Sequence, residues 1–247
     1  RRTEAFFSAW KRQADNSRVL AAVSPIFDCS RFNFFAEQFE PAYARLRQSG
    51  AMSNVWRATK LGYDELRNSQ ALAWMLDRFE DHGQGSALLE RVVEWAGRRR
   101  TLGFDGNTVH QSDYSVRTEC EPLGAQESRV DIEISSSNFL IFIEVKVRAP
   151  ESTDQLKRYV QLVTQKAAGR PTLVIYLTPS GRPPVDSALH DTIVSLSWSR
   201  LAELVKAYAS CCNSSNLSGR VFNQFAAHAL ELSLQSTRIR KTNANNA

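Results

Sequence analysis

The sequence predicts a mixed α/β fold: a β-sheet core flanked by helices, with a helical extension at its N-terminal end. Three observations carry that expectation. Apolar residues recur at helical spacing through the first hundred positions, β-rich runs follow one another from about 108 to 147, and helix and strand patterns then alternate. At 247 residues, 43% apolar and 23% charged, the chain is long enough and ordinary enough in composition for one sizeable core.

The elements follow in order. Residues 3–23 place Phe6, Phe7, Trp10, Val19, Leu20 and Val23 at mixed helical spacing, and Pro25 closes the segment. Residues 32–47 read as a second amphipathic helix, interrupted near Glu40-Pro41 and punctuated by Ser49-Gly50. From Asp64 to Arg78, Leu66, Ser69, Leu72, Ala73 and Leu76 form one stripe, widened by Trp74 and Met75. Ser86 to Arg100 is another helix, and its terminal Arg98-Arg99-Arg100 complements the helix dipole. Residues 108–120 (Val109, Tyr114, Val116) alternate as a strand, and 121–128 read as a loop. Strands at 129–134 and 139–147 are joined by a Ser135-Ser136-Ser137-Asn138 hairpin loop. A helix at 153–167, a strand at 172–178, a Pro/Gly turn at 179–184 and a short strand from Thr192 to Leu196 come next. A helix from Trp198 to Ala209, a polar loop at 213–219 and a closing helix at 220–235 complete the core. The expected division is a helical extension packed on the core (1–60), the core itself (61–235) and a flexible polar tail (236–247).

Composition excludes several classes. No stretch approaches the ~18 apolar residues of a membrane span, and none reads as a signal peptide. Cys29, Cys120, Cys211 and Cys212 show no C-x-x-C spacing, which argues against a zinc cage or a disulfide framework and for a reducing cytoplasm. The net charge of +5 is concentrated: residues 1–60 hold 10 Lys/Arg against 5 Asp/Glu, and the remaining charges cancel. A basic flank suits phosphate binding, and suits an ordinary solvated helical surface equally well.

The chemistry lies in the hairpin. In Arg129-Val130-Asp131-Ile132-Glu133-Ile134 the two acids alternate with apolar residues and share one face. In Phe139-Leu140-Ile141-Phe142-Ile143-Glu144-Val145-Lys146 the Glu and the Lys are two apart and also share a face. Ionised groups at the end of an apolar strand are costly unless compensated. A divalent metal held by Asp131 and Glu144, with Lys146 beside it, compensates them and outlines a metal-dependent phosphodiesterase site.

That constellation resembles the PD-(D/E)XK nuclease superfamily. Asp154-Gln155-Leu156-Lys157-Arg158-Tyr159 is similar to the Gln-x-x-x-Tyr helix that follows the core strands in many members, and Thr172 to Gly181 to the next strand and turn. Upstream, Tyr63 to Asp77 with Glu65, Ser69 and Leu72-Ala73-Trp74-Met75-Leu76-Asp77, followed by His82-Gly83, resembles the first helix of one prokaryotic branch; Phe32-Asn33-Phe34-Phe35 ahead of it also fits. The resemblance spans about residues 32–200 and implies a restriction-endonuclease-like core.

It implies Mg²⁺ or Mn²⁺ held by Asp131, Glu144 and the backbone carbonyl of Val145, with Lys146 orienting or deprotonating the attacking water. Glu65 is implied as a further acid reaching the metal, against the alternative of a solvated acid at a helix N-terminus. Gln155 is expected to touch metal-bound water or phosphate, with Tyr159 supporting it one turn later, against the alternative that either is plain helix surface. Glu133 is a second-metal ligand or, by the simpler reading, an exposed strand acid. His82 contacts a phosphate or makes a turn. Arg148, Lys157, Arg158 and Lys166 follow the metal strand and track a nucleic-acid backbone or form a helix surface. His110, His190 and His228 lack metal-like spacing. The sequence departs from the family pattern at Val145, often Asn, and at Val130, nominally Pro; neither change removes a ligand.

The implied activity is Mg²⁺-dependent cleavage of nucleic acid, chiefly DNA, in defence against phage or foreign DNA. The partners implied are nucleic acid, no membrane, and a second copy or a protein of the defence system. The alternative is a non-catalytic nucleic-acid-binding or partner-docking subunit that keeps the fold.

Overall fold

A computed structural model describes residues 29–121, 129–151, 154–213 and 216–244. The chain divides into two compact units, 1–53 and 54–247. The expected helix at 3–23 and most of the loop at 121–128 lie outside the described residues.

In the first unit, helix α1 (Cys29–Gln48) buries none of its residues and runs through Pro41 without the expected interruption. A proline removes one backbone donor, and the turns on either side continue the helix. Phe32, Phe35, Phe39 and Tyr43 line up along it with ring centroids 5.5–6.4 Å apart.

The second unit begins earlier than the expected boundary at residue 60. The short helix α2 (Val55–Ala58) carries Trp56, whose indole N–H donates to the Val221 carbonyl at 2.9 Å. Helices α3 (Glu65–Leu76), α4 (Ala87–Gly97) and α5 (Gly106–Gln111) follow. The α3 stripe differs from expectation at its first turn: Leu66 is 44% exposed, while Asn68 is buried. Asn68 is tolerated inside because its amide donates to Gly62 and Asp64 carbonyls and its oxygen meets His228 Nε2 at 2.9 Å. Val109, expected in a strand, lies in α5, whose start is fixed by the Asp105 carboxylate accepting from the Thr108 N–H.

Strands β1 (Tyr114–Cys120), β2 (Val130–Ser136), β3 (Leu140–Val145), β4 (Thr172–Thr178) and β5 (Ile193–Ser197) form one sheet in sequence order. β1, β2 and β3 are antiparallel; β3, β4 and β5 are parallel. The β2–β3 turn is held by Ser136, whose Oγ accepts from the Asn138 and Phe139 N–H groups. The parallel β3–β4 pair requires a crossover, which helix α6 (Gln155–Ala167) supplies. Helices α7 (Trp198–Ala209) and α8 (Leu217–Ala244) close the unit, and α8 runs past the expected end at residue 235. No helix among the described residues is long and apolar enough to cross a membrane.

Every residue of β3 is buried because both faces are covered. Ile141, Ile143 and Val145 join the core built with α3, α4, α7 and α8, whereas Leu140 and Phe142 join a smaller core under α6. Phe139 sits in the larger core, stacked on Phe104 at 5.1 Å and tilted against Tyr114 at 6.0 Å. Phe139→Ala is expected to destabilise the fold by about 3–5 kcal/mol, measured as a lowered urea midpoint; an unchanged midpoint contradicts this packing.

Candidate metal centre

The alternation of β2 and its pairing with β3 create the site. Glu133 lies opposite Phe142, so Asp131, Glu133, Phe142 and Glu144 share the face that looks toward α6. Lys146 continues that face, and on the parallel side Glu144 stands beside Tyr176. The neighbouring strands thus bring Asp131, Glu144 and Lys146 together.

Glu144 is 0% exposed. Lys146 Nζ stands 2.6 Å from its Oε1 as an ion pair, and neither Glu144 oxygen receives a hydrogen bond of regular geometry. The Asp131 carboxylate accepts from the Val145 N–H at 2.7 Å. Burial, and then the Glu144 charge, push the Asp131 carboxyl up to about 8, against the opposing pull of that amide and of Lys146. Burial alone lowers Lys146, but the Glu144 carboxylate, followed by Asp131 and Glu65, outweighs it and holds the ammonium above its ordinary value.

The backbone around Lys146 is tied down from several sides. Its N–H donates to the Leu177 carbonyl at 2.8 Å, and its carbonyl accepts from the Trp198 indole at 2.9 Å. Glu65 Oε1 accepts from the backbone N–H groups of Val147, Arg148 and Ala149 at 2.8, 3.1 and 3.1 Å. Glu65 is placed by the first turn of α3, which Asp64 caps by accepting from the Arg67 N–H. The resemblance implies Glu65 at the metal and the simpler reading a solvated acid at a helix N-terminus; in the structure its Oε1 holds the segment that follows Lys146. Trp198 was missed altogether, since an indole 52 residues away leaves no local signal.

The remaining candidates separate clearly. Gln155 opens α6 and is half-buried. Tyr159 is 2% exposed and donates its hydroxyl to the Arg129 carbonyl at 2.8 Å, so it supports the site from inside rather than meeting nucleic acid. His82 is 4% exposed, with Nε2 on the Asp77 carbonyl and Nδ1 accepting from the Gln84 N–H. Both ring nitrogens are thus engaged, which gives it the turn role and leaves no phosphate contact. Arg148 is exposed, with its guanidinium 3.7 Å from the Tyr63 ring centroid. Lys157 pairs with Asp186 at 3.0 Å on the α6 surface. Glu133 is not an exposed strand acid: it is 2% exposed, and Lys166 Nζ lies 2.7 Å from both its oxygens. That pairing also takes Lys166 away from any backbone-tracking role.

The donor set fits a hard divalent cation. No cluster of three or more His, Cys, Asp or Glu side chains suited to a metal occurs among the described residues. Mg²⁺ typically binds through one or two carboxylates together with substrate phosphate. Two adjacent carboxylates, one with both oxygens buried and lacking regular hydrogen bonds, match that habit. The family profile of the PD-(D/E)XK nuclease superfamily matches residues 53–231. No curated protein and no solved structure matches the chain.

Two outcomes follow from this geometry. Lys166→Met leaves Glu133 buried without its cation and is expected to cost about 3–5 kcal/mol, most of it recovered in the double variant with Glu133→Gln; a Lys166→Met protein as stable as wild type contradicts the pairing. For Asp131, the ordinary value of 3.8 rises to about 8 in the metal-free fold. The unfolded chain therefore ionises first, and metal-free protein loses stability as pH rises from about 4 to about 8. Urea midpoints across that window should fall more in wild type than in Asp131→Asn; parallel profiles contradict the assignment.

Proposed function

Because this chain belongs to the PD-(D/E)XK nuclease superfamily, we propose that it hydrolyses phosphodiester bonds in DNA, using Mg²⁺ or Mn²⁺ held by Asp131, Glu144 and the Val145 carbonyl. The observation that carries this reading is Glu144, which is fully buried, lacks regular hydrogen bonds and stands next to Asp131. When bound, the cation supplies Lewis-acid stabilisation of phosphoryl charge and lowers the pKa of water.

The chain's own residues supply the rest. Lys146 shares Glu144's face and stays charged, so it orients the attacking water and offsets negative charge growing on the phosphate. Glu65 and Trp198 fix the peptide that follows that lysine, and the Leu177 carbonyl holds the one before it, so its position does not have to be reorganised during reaction. Gln155, at the start of α6, reaches toward water or phosphate at the same centre. Exposed Arg148 beyond Lys146 is a candidate for a flanking phosphate, as is Lys157 once released from Asp186; such contacts position a substrate without reading its sequence. Defence against foreign DNA, implied by the resemblance of the upstream helix, is the setting we infer.

The test is incubation of purified protein with plasmid, linear duplex, single-stranded DNA and RNA, in Mg²⁺, Mn²⁺ or EDTA, beside Lys146→Ala. Metal-dependent cleavage of DNA is expected, with a loss of about a hundredfold or more in the variant. Binding without cleavage of any substrate overturns the nuclease assignment in favour of a binding subunit, and cleavage confined to RNA overturns the choice of DNA.

A further inference from the structure

Among the described residues, the buried side-chain polar atoms without a hydrogen bond of regular geometry are Trp95 Nε1, both Glu144 oxygens, the Tyr176 hydroxyl and the Thr178 hydroxyl, although Lys146 Nζ stands 2.6 Å from Glu144 Oε1 and the Arg182 guanidinium is within reach of the Tyr176 hydroxyl. All but the first belong to one face of two adjacent strands. Tyr176 lies directly opposite Glu144 in the parallel β3–β4 register. Thr178, two residues on, shares its face and stands beside Lys146, whose N–H continues the ladder to Leu177. Tyr176 is 0% and Thr178 1% exposed. Native structures rarely leave such atoms unpaired, and a local concentration of them marks a place where a polar ligand completes the bonding.

We propose that Tyr176 and Thr178 form a phosphate-holding wall of the metal centre, donating their hydroxyl protons to non-bridging oxygens of the nucleic-acid phosphate. The chemistry of the surroundings selects that ligand. Glu144 calls for a cation, whereas the two hydroxyls are donors beside Lys146 and the Arg182 guanidinium that follows β4, with the Glu151 carboxylate also in range of Tyr176, and two donors flanked by two cations suit an anion. A metal-bound phosphodiester satisfies both demands at once. The wall rests on the nuclease reading and adds residues of β4, a strand that contributes no metal ligand.

A buried hydroxyl waiting for a ligand has a signature that a structural hydroxyl lacks. Replacing it with an isostere removes an unmet polar group, so the free protein is not weakened while binding suffers. Thr178→Val and Tyr176→Phe should melt at or above the wild-type temperature without nucleic acid. In Ca²⁺, fluorescence anisotropy of short labelled DNA duplexes and single strands should show roughly tenfold or greater loss of affinity in each variant. Mn²⁺ binding by calorimetry should be unchanged, and Thr178→Ser should restore nucleic-acid affinity. A lowered melting temperature shows an internal partner and overturns the wall. Variants that bind nucleic acid as tightly as wild type overturn the wall alone. A wild-type protein that takes Mn²⁺ but no nucleic acid removes the nuclease reading, and the wall with it.

Discussion

A carboxylate with no exposed surface, set in a strand whose every residue is buried, is the constraint around which this protein is organised. Glu144 sits between Ile143 and Val145, both packed in the larger core. Burying an ionised carboxylate is unfavourable by several kcal/mol unless a counter-charge is present, and Lys146 is the only cation paired with it among the described residues. Asp131's own burial raises its carboxyl, and the charge of the neighbouring Glu144 raises it further.

The backbone brace follows from that arrangement. The segment from Val145 to Ala149 is held by Asp131 from β2, Leu177 from β4, Trp198 from α7 and Glu65 from α3. Each partner comes from a different element, so the lysine's position is set by the whole fold rather than by its own loop. Glu65 acts here as an acceptor for successive N–H groups, a role in which a charged oxygen is stronger than a neutral one. Beneath the same face, Tyr159 braces the entry to β2 through the Arg129 carbonyl and packs edge-on against Phe142.

Much of this was legible in the sequence because it rests on periodicity. Alternation in β2 and the two-residue spacing of Glu144 and Lys146 put the charged residues on one face, and the sheet shows them there. The strand at 172–178 and the helix at 198–209 fall where their patterns place them. Val145, where family members often carry Asn, is explained by the same periodicity: its side chain is 1% exposed in the opposite core, and its amide serves Asp131. What was not legible depends on partners distant in sequence. Glu133 looked solvent-facing because Lys166 lies 33 residues away. Leu66, expected in the α3 stripe, is 44% exposed, while the buried Asn68 is met by His228 of the last helix. Val109 alternated with its neighbours well enough for a strand, but Asp105 caps a helix there.

Asp131 and Glu144 are proposed to hold a divalent cation beside Lys146. Anomalous diffraction from crystals grown with Mn²⁺ tests it directly. One strong peak touching both carboxylates is expected, and it should be weak or absent in Glu144→Gln crystals. A peak that avoids both residues, or none at all with the Glu144–Lys146 pair intact, contradicts it.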